Sequence, residues 1–410
     1  MSYAFNNTVS FEGTPQVDAF SRFRTSQLNS ILEIKHVYDK NPLLIDELKG
    51  GSATSTWTPT NSDVEMDTSL NGDYVIRSTK ARGVYSPGKG GLFEATFMNF
   101  HVQDNVIKRV GYFSSSTTAP YNTALDGFFL ESNGDTNTIT FQVWRTGTQI
   151  YSIDISQWRT DKFDPLTIDW QLDQLFWCDF QWLGVGRMRF GLVLPDEGFV
   201  QFGEVCSANT IEDPYMTNPN QPIRYEIRQT GAGSGVFHQL CSHYAVEGSQ
   251  NALLKAVSIQ NSTERTLLTP GVKYPLLGYR CDQDWRGANI VLDSLFALNQ
   301  VTGTDYLITV EMNPGITGGT PTYTQIPDTP VEFSQGNGTM TVNVSGNIIK
   351  SYIGKGNAAT TDNFQLLDNL IKPGVCIDGT RDIMWICVTP LVISGSTKIR
   401  AVVANLNYYD

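Results

Sequence analysis

From about Gly50 onward the chain alternates. Short runs in which every second residue is apolar are separated by clusters of Gly, Asn, Asp and Pro. "TITFQVWRT" (138–146) puts Ile139, Phe141 and Val143 on one face, just after an Asn133-Gly134 turn. "NGDYVIRST" (71–79), "KRVGYFSS" (108–115) and "TALDGFFLES" (123–132) read the same way. A period of two predicts half-buried strands, and Asn-Gly or Asp-Gly between two such runs predicts hairpins. No long amphipathic helix lies between the runs to carry a parallel crossover, so the pattern predicts a mainly β chain built as an antiparallel β-sandwich of the jelly-roll or lectin-like kind.

The rhythm breaks at "RQTGAGSGVFHQ" (228–239) and restarts further on. It then runs through "TGTDYLITVEMNPG", "GTMTVNVSGNIIKSYIG", "DIMWICVTPLVISGS" and "TKIRAVVANLNYY". This predicts a sandwich over 49–250 and a second β-sandwich over 251–410. No repeat at a fixed period appears, which disfavours a solenoid or propeller. Residues 1–48 read as an extended N-terminal arm for docking between subunits. In "VDAFSRFRTSQLNS" (17–30), Phe20 and Phe23 stand beside Arg22 and Arg24, a poor pattern for an independent core and a reasonable one for a subunit contact. "SILEIKHVYDKNPLLIDE" (30–47), with Leu28 just before it, has helical spacing at Leu28, Ile31, Leu32 and Lys35. It also alternates at Leu32, Ile34, His36 and Tyr38, and its β-branched content favours a strand.

"WCDFQWLGVGRMRFGLVLP" (177–195) could cradle a phosphate, stack on a sugar or close a core. A three-residue loop at Gly184-Val185-Gly186 sets Trp182 against Met188, Phe180 against Phe190 and Cys178 against Leu192, all apolar. The other face then holds Gln181 opposite Arg189, with Asp179 diagonal to Arg189. This register predicts a core hairpin whose Arg187 and Arg189 face a neighbouring subunit or Asp179. The glycine spacing lacks the Lys-Ser/Thr of a phosphate loop and opens a strand rather than a helix. Trp177, alone on the polar face, reads as a rim residue.

Composition narrows the partners. The 410 residues carry a net charge of −12 and only 17% charged residues, which opposes binding to a nucleic-acid backbone. The densest basic stretch is Arg77, Lys80, Arg82, Lys89, Lys108 and Arg109; spread over some thirty positions, it reads as a solvated face. No run approaches the length of a membrane span, so no membrane insertion is predicted. The N-terminus lacks the basic and apolar regions of a secretory signal, and the six cysteines form no C-x-x-C pair. Both point to folding in a cytosol with buried free thiols.

The search for chemistry yields little. Asp63, Glu65 and Asp67 in "DVEMD" would share one strand face and are the best glycosidase candidates, although charge guarding an exposed sheet edge is the simpler reading. "HQLCSH" gathers His238, Cys241 and His243, but strand alternation puts only Cys241 and His243 on one side, too few for a closed metal site. The bland reading there is a core cysteine flanked by histidines. No G-x-S-x-G elbow and no calcium loop is present. The sequence therefore predicts no catalytic set, no metal and no cofactor.

Seven segments, in order, resemble a group of structural proteins from tailed-bacteriophage virions. They are "DAFSRFRTS" (18–26), "YDKNPLLIDE" (38–47), "VYSPGKGGLF" (84–93), "KRVGYF" (108–113), "DGFFLE" (126–131), "FQWLGVGRMRFG" (180–191) and "PIRYEIR" (222–228). The resemblance covers roughly residues 15–230, with Leu44-Ile45 standing where aromatics are expected. It implies a non-enzymatic virion component associated with tail, baseplate or fibre. Its partners would be other copies of itself, as a trimer for instance, and other virion proteins. A capsid decoration protein is the rival within that class. A glycan-binding adhesin recognising host surface polysaccharide is the alternative, for which loops such as "NPGITGGTPTYTQ" in the second sandwich are the candidate contacts. A sandwich glycosidase ranks last.

Overall fold

The computed structural model describes residues 27–160, 164–195, 197–248, 255–261, 264–267, 269–299, 305–355, 359–363, 372–392 and 397–409. The chain is mainly antiparallel β and divides into two compact units. The first comprises the described residues up to Thr79 with Tyr85–Gln250; the second joins Lys80–Val84 to Asn251–Asp410.

The first unit is an antiparallel sandwich of fifteen strands among the described residues: β1 (Leu28–Ile34), β2 (Ile45–Gly50), β3 (Thr54–Thr58), β4 (Asp63–Thr68), β5 (Tyr74–Thr79), β6 (Gly91–Met98), β7 (Val106–Ser115), β8 (Ala124–Asn133), β9 (Thr138–Arg145), β10 (Thr148–Asp154), β11 (Gln174–Phe180), β12 (Arg187–Leu194), β13 (Gly198–Cys206), β14 (Ile223–Gln229) and β15 (Gly235–Glu247). One sheet runs β13-β12-β11-β6-β15-β4-β3, with β1 also paired to β15; the other runs β10-β9-β8-β7-β14-β5-β2. Inward alternate residues of the two sheets meet in an aromatic core. Phe93, Tyr112, Phe128, Phe176 and Phe180 interlock there, and Phe141 stacks on Phe190 at 4.0 Å. Ile139, Phe141 and Val143 face this core, as their alternation predicts.

The described part of the expected arm, 27–48, enters the sandwich itself: β1 joins one sheet and β2 the other. Phe20, Arg22, Phe23 and Arg24 lie outside the described residues. "DVEMD" is not a sheet edge, because β4 is hydrogen-bonded between β15 and β3.

The hairpin of β11 and β12 keeps its predicted faces but shifts register by two. Phe180 pairs with Met188, Cys178 with Phe190, and Asp179 sits directly opposite Arg189. The cause is a longer turn over 181–186, closed by Gly186 N–H donating to the Trp182 carbonyl (2.7 Å), with Leu183 and Gly184 at positive φ. A two-residue shift returns every side chain to its own side, so the core prediction survives the wrong register.

The second unit repeats the architecture. Among the described residues, one sheet contains Lys255–Asn261, Arg265–Leu267, Asn289–Asn299, Ala359–Asn363 and Thr397–Tyr409. The other contains Tyr274–Cys281, Asp305–Met312, Thr324–Gln325, Val331–Gln335, Asn347–Lys355 and Met384–Pro390. Leu276, Leu295, Ile308, Ile386 and Leu406 fill the space between them.

Candidate functional site

The face of the β7-β8-β9-β14 sheet turned away from the core is built from polar residues, yet it is buried. Val110, Leu130, Phe141 and Tyr225 point inward, so their neighbours Arg109, Glu131, Gln142, Arg224 and Glu226 point outward. All five are nonetheless less than 7% exposed. The β7–β8 connection covers them. Its Asn122 carbonyl accepts from Arg109 (2.9 Å) and its Tyr121 carbonyl from Arg224 (2.6 Å).

Under this loop the charges are matched. Arg109 bridges Glu131 (2.6 Å) and Glu226 (3.0 Å), and Arg224 holds the second Glu226 oxygen (2.8 Å). Glu131 also accepts from Asn133 and Gln142, and the Gln142 carbonyl oxygen accepts from the Trp144 indole (2.8 Å). Burial raises the Glu226 carboxyl, but Arg224 and then Arg109 outweigh it, leaving its pKa below the ordinary carboxylate value.

At one end of this network lies a pocket of about 140 Å³. It is lined by Gly72 and Asp73 with Tyr74 and Ile76 of β5, by Pro120 and Asn122 from the covering loop, and by the segment from Glu226 to Thr230 at the end of β14. Tyr74 meets Tyr121 edge-on at 6.4 Å. Asp73 is spent on a turn: it accepts from Ser52 N–H and Oγ, Ser69 N–H and Leu70 N–H. Burial alone would raise that carboxyl, yet these four donors bring it down to about 2. Arg228 is half-buried and its Nε, fully shielded from solvent, has no hydrogen-bond partner. A cavity of this size suits one six-membered ring. An aromatic side and convergent polar groups are what orient such a ligand.

The sequence's own candidates fall elsewhere. Asp63 is buried and bonded to His238 Nδ1 (2.8 Å), with Glu65 3.6 Å from the other ring nitrogen. Partial burial, then Asp67, raises the Glu65 pKa. A bulge between Gln239 and Ser242 changes the phase of β15, so Cys241 is exposed rather than core. His243 joins Glu94 (3.0 Å) and Ser30 Oγ (2.6 Å), tying β1 to β15 and β6. Arg189 is buried against Asp179 (2.5 Å), and Arg187 lies 3.5 Å from Glu204. Trp177 is 3% exposed and packs on Phe199. In the second unit Tyr323 is engaged internally, with Arg280 stacked 3.9 Å above its ring and Trp385 at its edge.

The basic stretch from Arg77 to Arg109 is not a solvated face. Arg77, Lys108 and Arg109 are buried, and Lys80, Arg82 and Lys89 are half-buried. Arg77 is bonded to Glu47 and Gln239, while Lys108 donates to the Asn99 and His101 carbonyls. Among the described residues, no cluster of three or more His, Cys, Asp or Glu could hold a metal ion, and no helix is long and apolar enough to cross a membrane.

No protein-family model and no curated protein matches the chain. Among solved structures, low-scoring matches span about half of the chain. The Emp46p carbohydrate recognition domain is 9% identical, covering 53% of this chain and 97% of its own at a TM-score of 0.36. The VIP36 exoplasmic/lumenal domain in its Ca²⁺/Man3GlcNAc-bound form is 11% identical, with coverage of 55% and 92% and a TM-score of 0.35. A candidate β-glucanase from Mycobacterium abscessus is 12% identical, with coverage of 53% and 100% and a TM-score of 0.37.

Proposed function

We propose that this chain is a glycan-binding protein whose site is the pocket between β5, β14 and the β7–β8 loop of the first sandwich. The observation that carries this reading is the pocket itself: ring-sized, and lined by Tyr74 and Pro120 together with Asn122, Glu226 and Arg228. Sugars are recognised in this way, with the apolar face of the ring against an aromatic side chain and its hydroxyls against fixed donors and acceptors. The carboxylates at the site do not suit glycoside hydrolysis. Such catalysis needs a carboxylic acid with a raised pKa, and Glu226 is held ionised between two arginines. The reading is therefore of a binding protein, not a hydrolase.

The seven segments that resemble tailed-phage structural proteins support a setting for this binding. There the chain would be a homo-oligomeric tail, baseplate or fibre-associated subunit that presents the pocket to host surface polysaccharide. Mass spectrometry of purified virions tests the setting, and a virion proteome without this chain would remove it.

The binding reading is tested on a glycan array with the full chain and with Tyr74→Ala. Retention of a glycan class by the parent, weakened about tenfold or more in the variant, is the expected result. Equal retention by the two proteins would move the site elsewhere.

A further inference from the structure

We infer that the pocket selects an acidic sugar, a ring bearing a carboxylate that docks on the Arg228 guanidinium. The inference rests on the glycan reading of the pocket and adds the class of sugar. It begins from an unmet hydrogen-bond donor. Arg228 lines the pocket, and its Nε is shielded from solvent without an acceptor. Among the described residues its guanidinium makes no direct hydrogen bond or ion pair, and Glu226, Glu131 and Asp135 act on it only through longer-range attraction. A buried donor on a cation is costly to leave unmade, and positions of this kind call for a partner.

The chain's own carboxylates in its neighbourhood are already engaged. Glu226 is shared between Arg109 and Arg224, and Glu131 serves Arg109, Asn133 and Gln142. Asp73 is enclosed by donors from Ser52, Ser69 and Leu70, and Asp135 accepts from Thr230 (2.6 Å). Among the described residues around the pocket, Arg228 is thus the charged group with capacity to spare. A guanidinium fork matches a carboxylate in two parallel hydrogen bonds, a geometry that a neutral hydroxyl cannot repeat. Ring and carboxylate together fill the site: the ring lies against Tyr74 and Pro120, and its acid group reaches Arg228 on β14.

The test is calorimetric titration of the full chain with glucuronate, galacturonate and N-acetylneuraminate, with glucose and galactose as neutral rings, and with acetate and inorganic phosphate as bare anions. At least one carboxylated ring is expected to bind about tenfold or more tightly than the neutral rings and the bare anions. Arg228→Gln should erase that preference, with Arg228→Lys intermediate. The melting temperature of Arg228→Gln should stay close to the parent's, which separates a lost ligand contact from lost folding. Acidic and neutral rings binding alike, or a preference that survives Arg228→Gln, would overturn the inference while leaving the glycan reading intact. Acetate or phosphate binding as tightly as the best ring would reduce the site to an anion site and overturn it. Failure of every ring to bind at about 10 mM would overturn the glycan reading as well.

Discussion

Lys108 shows what a single buried charge does in this sandwich. Its ammonium is wholly buried and, among the described residues, donates to the Asn99 and His101 carbonyls and to no carboxylate. Burial brings its pKa down to about 7. Between pH 7 and the ordinary lysine value near 10.5, the unfolded chain therefore binds a proton that the folded chain does not. Stability must rise with pH across that window, by up to about 1.4 kcal/mol per pH unit, and level off above it. Urea unfolding between pH 6 and 10 should show this rise, and Lys108→Met should flatten it. A slope unchanged by the substitution would mean that Lys108 is not its source. His36 acts on the acid side in the same sense. Burial, then Arg77, lowers its pKa to about 4, so stability falls as the pH drops from about 6.5 to 4 and the unfolded chain takes up the proton first.

At the scale of elements, the β11–β12 hairpin separates what is local from what is not. Which residues face the core follows from a period of two and was legible in Cys178, Phe180, Met188 and Phe190. Loop length was not, because it depends on contacts made at the tip by another segment. The Tyr215 N–H donates to the Gly184 carbonyl, and the Trp182 indole donates to the Met216 carbonyl (3.0 Å). The bulge in β15 hid the true faces of His238, Cys241 and His243 in the same way, since an extra residue reverses the alternation after it. The turn itself predicts two opposite outcomes. A Cβ on Gly186 would lie 1.8 Å from the Gln181 carbonyl oxygen, so Gly186→Ala should cost about 2 kcal/mol or more. Leu183 is 52% exposed at φ 36°, where Asn is better tolerated, so Leu183→Asn should be neutral or mildly stabilising. Thermal melts of the two variants check both signs; similar effects from the pair would show that the turn is not held as described.

At the scale of the whole molecule, β class and the repetition of a sandwich were readable from alternation, whereas the pocket was not. Its walls come from residues 72–76, 120–122 and 226–230, segments that meet only when β5 and β14 pair and the β7–β8 connection folds over them. Composition could not reveal that Arg109 and Arg224 are matched by Glu131 and Glu226 in direct contact, while the Arg228 Nε is left without an acceptor. The path of the chain was equally hidden, because the second unit takes in Lys80–Val84 from between two strands of the first. That short segment is well tied within the second unit. Val84 is 1% exposed and forms a small cluster with Val291, the Lys80 carbonyl accepts from Val375 N–H (3.0 Å), and the Arg82 carbonyl accepts from Asn289 (3.2 Å). The fragment 251–410 would therefore lack part of its own unit. Val84→Ala removes two buried methyl groups, about 2 kcal/mol, from an element that lies more than 160 residues from its partners in sequence. Hydrogen exchange on the full chain should then show protection lost over residues 289–292 and 374–382, with residues 106–115 of the first unit unchanged. Loss confined to 106–115 would instead assign Val84 to the first unit's stability.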